Sequence, residues 1–131
     1  MKNTKKVLLA EDDVFVASIY QTKLRQEGFE IETAENGLEA MKKIEKFIPD
    51  LILLDILMPY LDGVSVLRKI KSNEEWKNIP VIMLTNLSEK EKVEEALSLG
   101  ANDYLIKSHF TPSEVMIKIR AVLDNKKAQA Q

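Results

Sequence analysis

The chain has 131 residues, 45% hydrophobic and 31% charged, the balance of a single ordinary globular domain. It contains no Cys and one His, His109, which excludes Cys-ligated zinc, multi-His metal sites, iron–sulfur clusters and thiol catalysis. Lys and Arg number 19 against 21 Asp and Glu, a formal net charge of −2, without the basic excess of a general nucleic-acid binder.

The basic start, Met1–Lys6, is followed only by the short apolar run Val7–Ala10, too brief for the apolar segment of a signal peptide. That run predicts the first strand. Val16, Ile19, Tyr20 and Leu24 then follow helical spacing, with Gly28 as a C-cap. Ile31–Ala34 alternates more and predicts an edge strand. Leu38, Met41, Ile44 and Ile48 mark a second helix, which Pro49 stops. Leu51–Leu54 predicts a third strand, broken by Asp55 and far short of a membrane span.

Val64, Leu67 and Ile70 mark a third helix, and Val81–Leu84 a fourth strand. Val93, Ala96 and Leu97 mark a fourth helix that ends at Gly100. Tyr104–Ile106 predicts the fifth strand, and Val115, Ile119 and Val122 the fifth helix. Capping-box spacing occurs at Asn36 with Glu39, Ser88 with Glu91, and Thr111 with Glu114, with Pro112 at a first helical position. The polar end from Asp124 is expected to fray; residues 1–125 form the domain and 126–131 a polar tail.

The pattern is (βα)5. Nearly continuous apolar strands joined by helices predict an open, doubly wound parallel sheet with helices on both faces. Ligands of such sheets bind beyond the carboxyl ends of the strands. There the sequence places Glu11-Asp12-Asp13 after strand one, Asp55 after strand three, Thr85 after strand four and Lys107 after strand five. Clustered carboxylates must bind protons or share a cation. With oxygen ligands alone, Mg2+ fits best, because it needs few carboxylates and keeps waters for a phosphate. Lys107 adds a charge for an anion and Thr85 a hydroxyl. The sum is a Mg2+-dependent phosphoryl site with a carboxylate nucleophile.

The sequence resembles the receiver domains of bacterial two-component response regulators. The resemblance rests on Val7–Asp13, Asp50–Pro59, Leu61-Asp62-Gly63, Ile79–Thr85 and Gly100–Lys107, five motifs in family order and spacing. It implies the strand order 2-1-3-4-5, for which a member of this family is a stock example. It further implies that Asp55 accepts a phosphoryl group from a phosphohistidine of a sensor histidine kinase or histidine phosphotransfer protein. Asp12 would be the principal acidic Mg2+ ligand, Glu11 would act through water, and Asp55 and the Leu57 carbonyl would complete the protein ligands. Lys107 would pair first with Asp55 and then with a phosphoryl oxygen. Thr85 would bond another, its movement coupled to the ring of Tyr104. The face made by helix four, strand five and helix five would bind a downstream partner.

Other roles are local. Asp13 fits a helix start, Asp50 and Asp62 fit turns, and His109 fits a surface loop. Two positions depart from the family pattern: Ser108 follows Lys107 where Pro is usual, and Asn86 follows Thr85 where a small residue is usual. A cis bond before a non-proline residue costs roughly 2.5–4 kcal/mol, so a trans Lys107–Ser108 bond in a reshaped loop is expected over a strained cis bond. Asn86 is expected to alter phosphorylation or hydrolysis rates.

The leading expectation is a phosphorylation-driven switch rather than an enzyme, cytoplasmic, with no direct contact to nucleic acid or membrane. An aspartate-based phosphatase would share the Asp nucleophile and Mg2+, but it usually carries a second Asp two residues on, where this chain has Leu57. A pseudo-receiver acting by protein binding alone is the third reading. No Gly-rich phosphate loop points to a nucleotide or flavin site. Beyond the fifth helix the sequence has only a short tail, so the output is either a binding surface or an effector domain outside this sequence.

Overall fold

A computed structural model describes residues 4–107 and 111–129. Five strands alternate with five helices: β1 (Lys6–Ala10), α1 (Val14–Gln26), β2 (Glu30–Ala34), α2 (Gly37–Phe47), β3 (Leu51–Asp55), α3 (Gly63–Ser72), β4 (Val81–Thr85), α4 (Lys90–Ser98), β5 (Asp103–Ile106) and α5 (Pro112–Gln129). A 3-10 turn, Leu87–Glu89, leads into α4. The strands form one parallel sheet in the order β2-β1-β3-β4-β5.

Alternation along each strand divides the core between the two faces of the sheet. Val7 and Leu9 of β1, Leu51 and Leu53 of β3, and Ile82 and Leu84 of β4 pack with α1 and α5. Their neighbours Leu8, Ile52, Leu54, Val81 and Met83 pack with α2, α3 and α4. Because both faces are covered, the inner strands are buried at every position except Lys6 at the start of β1, which is why they carry unbroken apolar runs. β2 is an edge, as its mixed sequence predicts. β5 is the other edge despite its apolar run: Tyr104 is exposed and Ile106 half-buried.

Helix ends follow local chemistry. The Asp13 carboxylate accepts from Phe15 N–H and Val16 N–H, capping α1, and Asp62 caps α3 through Ser65 N–H. Gly28 and Gly100 take positive φ of 93° and 111° just beyond α1 and α4. Thr111 and Glu114 exchange both bonds of a capping box.

Several sequence expectations need correction. The box near α4 is not Ser88 with Glu91; instead Glu89 accepts from Asn86 N–H at 2.6 Å. Both pairs have the right spacing, and burial of Glu89 selects between them. Asn36 caps Glu39 N–H, but the Glu39 carboxylate turns to Glu35 N–H. Ile19, Leu38, Ile48 and Leu97 are exposed although they match helical spacing, and the smaller Ala17, Ala40 and Ala96 occupy the buried faces. The backbone of α5 continues to Gln129, past Asp124, since no Gly or Pro stops it. The Lys107–Ser108 peptide and His109 lie outside the described residues.

Candidate functional site: an acidic cavity at the carboxyl edge of the sheet

Parallel register brings the strand ends together. Ala10 pairs with Leu54, Asp55 with Leu84, and Thr85 with Ile106. The pairing runs one residue further: Glu11 N–H donates to Ala34 O, Ile56 N–H to Leu84 O, and Lys107 N–H to Thr85 O. Glu11, Asp55, Thr85 and Lys107 are thus fixed by sheet backbone rather than carried on free loops. Gly63 packs against the end of β3. Its N–H donates to Ile56 O at 2.7 Å, and a Cβ there would overlap the Asp55 carbonyl.

A cavity of about 490 Å3 opens at this edge, and Glu11, Asp12, Asp55, Leu57, Asn86 and Lys107 are among its lining residues. Carboxylate oxygens of Glu11, Asp12 and Asp55 lie within 4.8 Å of one another. Lys107 sits two strands away from Asp55, roughly 9.6 Å at about 4.8 Å per strand, a gap that the lysine stem, the aspartate side chain and the hydrogen bond between them close together. Its ammonium is 2.9 Å from Asp55 Oδ2 and 2.8 Å from Glu11 Oε1. The Asp55 contact is an aligned hydrogen bond. The Glu11 contact is an ion pair without hydrogen-bond alignment, which leaves Glu11 Oε1 buried and without an aligned donor. Glu11 Oε2 accepts from Asp13 N–H, and Asp55 Oδ1 accepts from Leu57 N–H at 3.3 Å.

Asp55 is 3% exposed. Burial pushes its pKa from the ordinary 3.8 up to about 7; the Lys107 hydrogen bond opposes that rise, and the Glu11 charge adds to it. Burial draws the Lys107 ammonium down, but the Glu11 and Asp55 carboxylates outweigh it and hold its pKa above the ordinary value. The pKa of the buried Tyr20 phenol is raised by burial and then by the Glu11 charge. The cavity therefore carries an uncompensated negative field. Three clustered carboxylates facing one ammonium fit a hard divalent cation that takes oxygen ligands.

Among the expected site residues, Glu11, Asp12, Asp55, Leu57 and Lys107 are brought together, and Asn86 lies at the cavity wall as its position suggested. Thr85 and Tyr104 are set apart. Thr85 is buried, and its Oγ1 lies 2.9 Å from both Asn86 O and Glu89 Oε1. Tyr104 is exposed, with the Lys118 ammonium 5.4 Å from its ring centre. The two share a second groove beside α4 rather than the acidic cavity. The sequence marks Gly63 only as part of a motif, without its packing role, and gives Glu89 no role. The Asp62-Gly63 pair read as a turn, and Glu89 was hidden by the competing Ser88–Glu91 spacing.

Residues 7–120 match the response regulator receiver domain family, and the chain belongs to it. The alkaline phosphatase synthesis transcriptional regulatory protein PhoP of Bacillus subtilis is 37% identical over 119 residues, 91% of this chain and 48% of that protein. The CpxR homolog of Haemophilus influenzae is 41% identical over 118 residues, 90% of this chain and 50% of its own length. The chain thus spans about half the length of these relatives. Among solved structures, chemotaxis response regulator CheY4 of Vibrio cholerae superposes with a TM-score of 0.85 at 30% identity, covering 92% of this chain and 99% of that one. A CheY-like receiver domain protein of Methanospirillum hungatei reaches 0.89 at 28% identity, covering 97% and 99%. The protein is therefore a receiver domain of the two-component type, a signalling domain. Among the described residues no helix is long and apolar enough to cross a membrane.

Proposed function

We propose that this receiver is switched by phosphorylation of Asp55, with the phosphoryl group supplied by a phosphohistidine of a sensor histidine kinase or phosphotransfer protein. The observation that carries this reading is Asp55 itself, 3% exposed yet lining an open cavity between Glu11 and Lys107. A carboxylate in such a place is costly unless it reacts or binds.

In the transfer, an Asp55 carboxylate oxygen forms the new bond to phosphorus. The phosphorus–nitrogen bond breaks, and its electron pair stays with the departing imidazole. Lys107, freed from part of its pairing with Asp55, follows the charge onto a phosphoryl oxygen. Thr85 donates its hydroxyl to another. Asp12, Asp55 and the Leu57 carbonyl would hold Mg2+, with Glu11 acting through water, and the bound cation would supply positive charge to offset that of the transferring group. The sequence after Asp55 supports a switch over a phosphatase: Leu57 stands where a general acid would be needed, so turnover of phosphate esters has no proton donor at that position. Tyr104 and the groove along α4 and β5 then form the surface whose shape follows the phosphorylation state.

The test is incubation with Mg2+ and a small phosphodonor, followed by intact-mass analysis. One phosphoryl group is expected, lost on hydroxylamine treatment and absent in Asp55→Asn. Equal labelling of Asp55→Asn, or no labelling of the parent, would overturn the assignment.

A further inference from the structure

Among the described residues three carboxyl groups are buried, and Glu89 is the one outside the acidic cavity. It is 6% exposed and sits at the last position before α4. Glu89 Oε1 lies 2.9 Å from the Thr85 hydroxyl and 2.6 Å from the Asn86 amide nitrogen. Its second oxygen, Oε2, is buried with no hydrogen-bond partner. A carboxylate with so few donors depends on each one it has.

Thr85 carries a single hydroxyl proton. Asn86 O and Glu89 Oε1 both lie 2.9 Å from Oγ1, and while the proton goes to the carboxylate, the stronger acceptor, it cannot point at a phosphoryl oxygen on Asp55. We propose that Glu89 is a positioning residue that latches the Thr85 hydroxyl in the resting chain, so that a phosphoryl group on Asp55 must win it from Glu89. The competitor in this inference rests on the phosphorylation reading above. Release has a mechanical consequence. Once Thr85 turns away, Glu89 keeps one backbone donor for a buried carboxylate, and it is driven toward solvent. Because Glu89 adjoins Lys90, that movement displaces the first turn of α4 and with it the groove lined by Thr85, Asn86, Lys90, Val93, Leu97 and Tyr104. The latch thus joins an event at the sheet edge to the partner-facing helix through two side chains.

The test measures beryllofluoride and Mg2+ affinity of the parent, Glu89→Ala and Glu89→Gln by amide spectra. Removing the competitor is expected to tighten binding about tenfold, the scale of one hydrogen bond to a charged group. Glu89→Gln keeps an acceptor for the hydroxyl and is expected to fall between the two. A residue that only stabilised α4 would lower stability without tightening binding. Affinity of Glu89→Ala within twofold of the parent, weaker than the parent, or exceeded by Glu89→Gln would overturn the latch. If Glu89→Ala does not fold, Glu89→Asp, one methylene short of Thr85, takes its place with the same expectations. A double-mutant cycle of Thr85→Val with Glu89→Ala, read by urea unfolding, is independent of phosphoryl binding. Non-additive losses are expected, and additive losses overturn the bond. If the parent binds no beryllofluoride, the phosphorylation reading fails and the cycle alone decides the latch.

Discussion

Replacing Asp55 by Asn should make the metal-free protein more stable at alkaline pH, and the gain should vanish in acid. Burial holds the Asp55 carboxyl near 7 in the folded chain against an ordinary 3.8. Below pH 3.8 both folded and unfolded chains keep the proton, and the group has no effect on stability. Between the two values the unfolded chain releases its proton first, so stability falls as pH rises. Above about 7 both are ionised and the penalty is constant. From about pH 4.5 to about pH 8 the loss is up to about 3 kcal/mol, at about 1.36 kcal/mol per pH unit. Proton sharing with Glu11 and Lys107 makes this an upper figure. Asn cannot ionise, so the variant lacks this slope. The pH-independent cost of the substitution, including the altered bond from Lys107, cancels when the difference between variant and parent is compared at the two pH values. Urea unfolding in chelator, followed by circular dichroism, measures it. A difference that is the same at both pH values, or that grows in acid, would refute burial as the dominant force on Asp55.

Three further outcomes follow from the same geometry. Mg2+ should raise the melting temperature of the parent more at about pH 8 than at about pH 6, because the cation competes with the Asp55 proton; Asp12→Ala should lose most of the rise, and an undiminished rise there would remove Asp12 from the ligand set. Gly63→Ala should cost more than about 3 kcal/mol or prevent folding, since its Cβ overlaps the Asp55 carbonyl and backbone must shift; near-parental stability by urea unfolding would contradict the packing. Asn86→Ala, which trims a polar wall of the cavity, should change the rate of phosphoryl loss, and equal rates in a dephosphorylation assay would show that Asn86 does not reach the reacting group.

Much of the fold was legible in local sequence because its signals are local. The runs Val7–Ala10, Leu51–Leu54 and Val81–Leu84 are buried on both sides and therefore apolar at every position. Asp13, Thr111 and the glycines at 28 and 100 mark helix ends by their own hydrogen bonds or backbone angles. Local spacing failed where burial had to choose between similar patterns. Ile19 and Leu97 look like core residues, yet they lie at the margin of the buried faces, which are made by Ala17, Tyr20 and Leu24 in α1 and by Val93 and Ala96 in α4. Ser88–Glu91 and Asn86–Glu89 have the same spacing, and a short window of sequence does not record which carboxylate is inside.

The sequence by itself determined the chemical vocabulary of the site. With no Cys and one His, a charged strand-end cluster had to be built from oxygen ligands, a hydroxyl and an ammonium. Tertiary structure decided how those groups meet. Lys107 reaches Asp55 across 52 positions of chain only because the sheet order places β4 alone between β3 and β5. Gly63 is required because the backbone of Asp55 passes against it. Thr85 faces Glu89 rather than the cavity because a 3-10 turn brings that carboxylate under the strand end. Residue types follow from composition, but burial and distance depend on strand order, and those two quantities set the raised pKa of Asp55 and the acceptors within reach of the Thr85 hydroxyl.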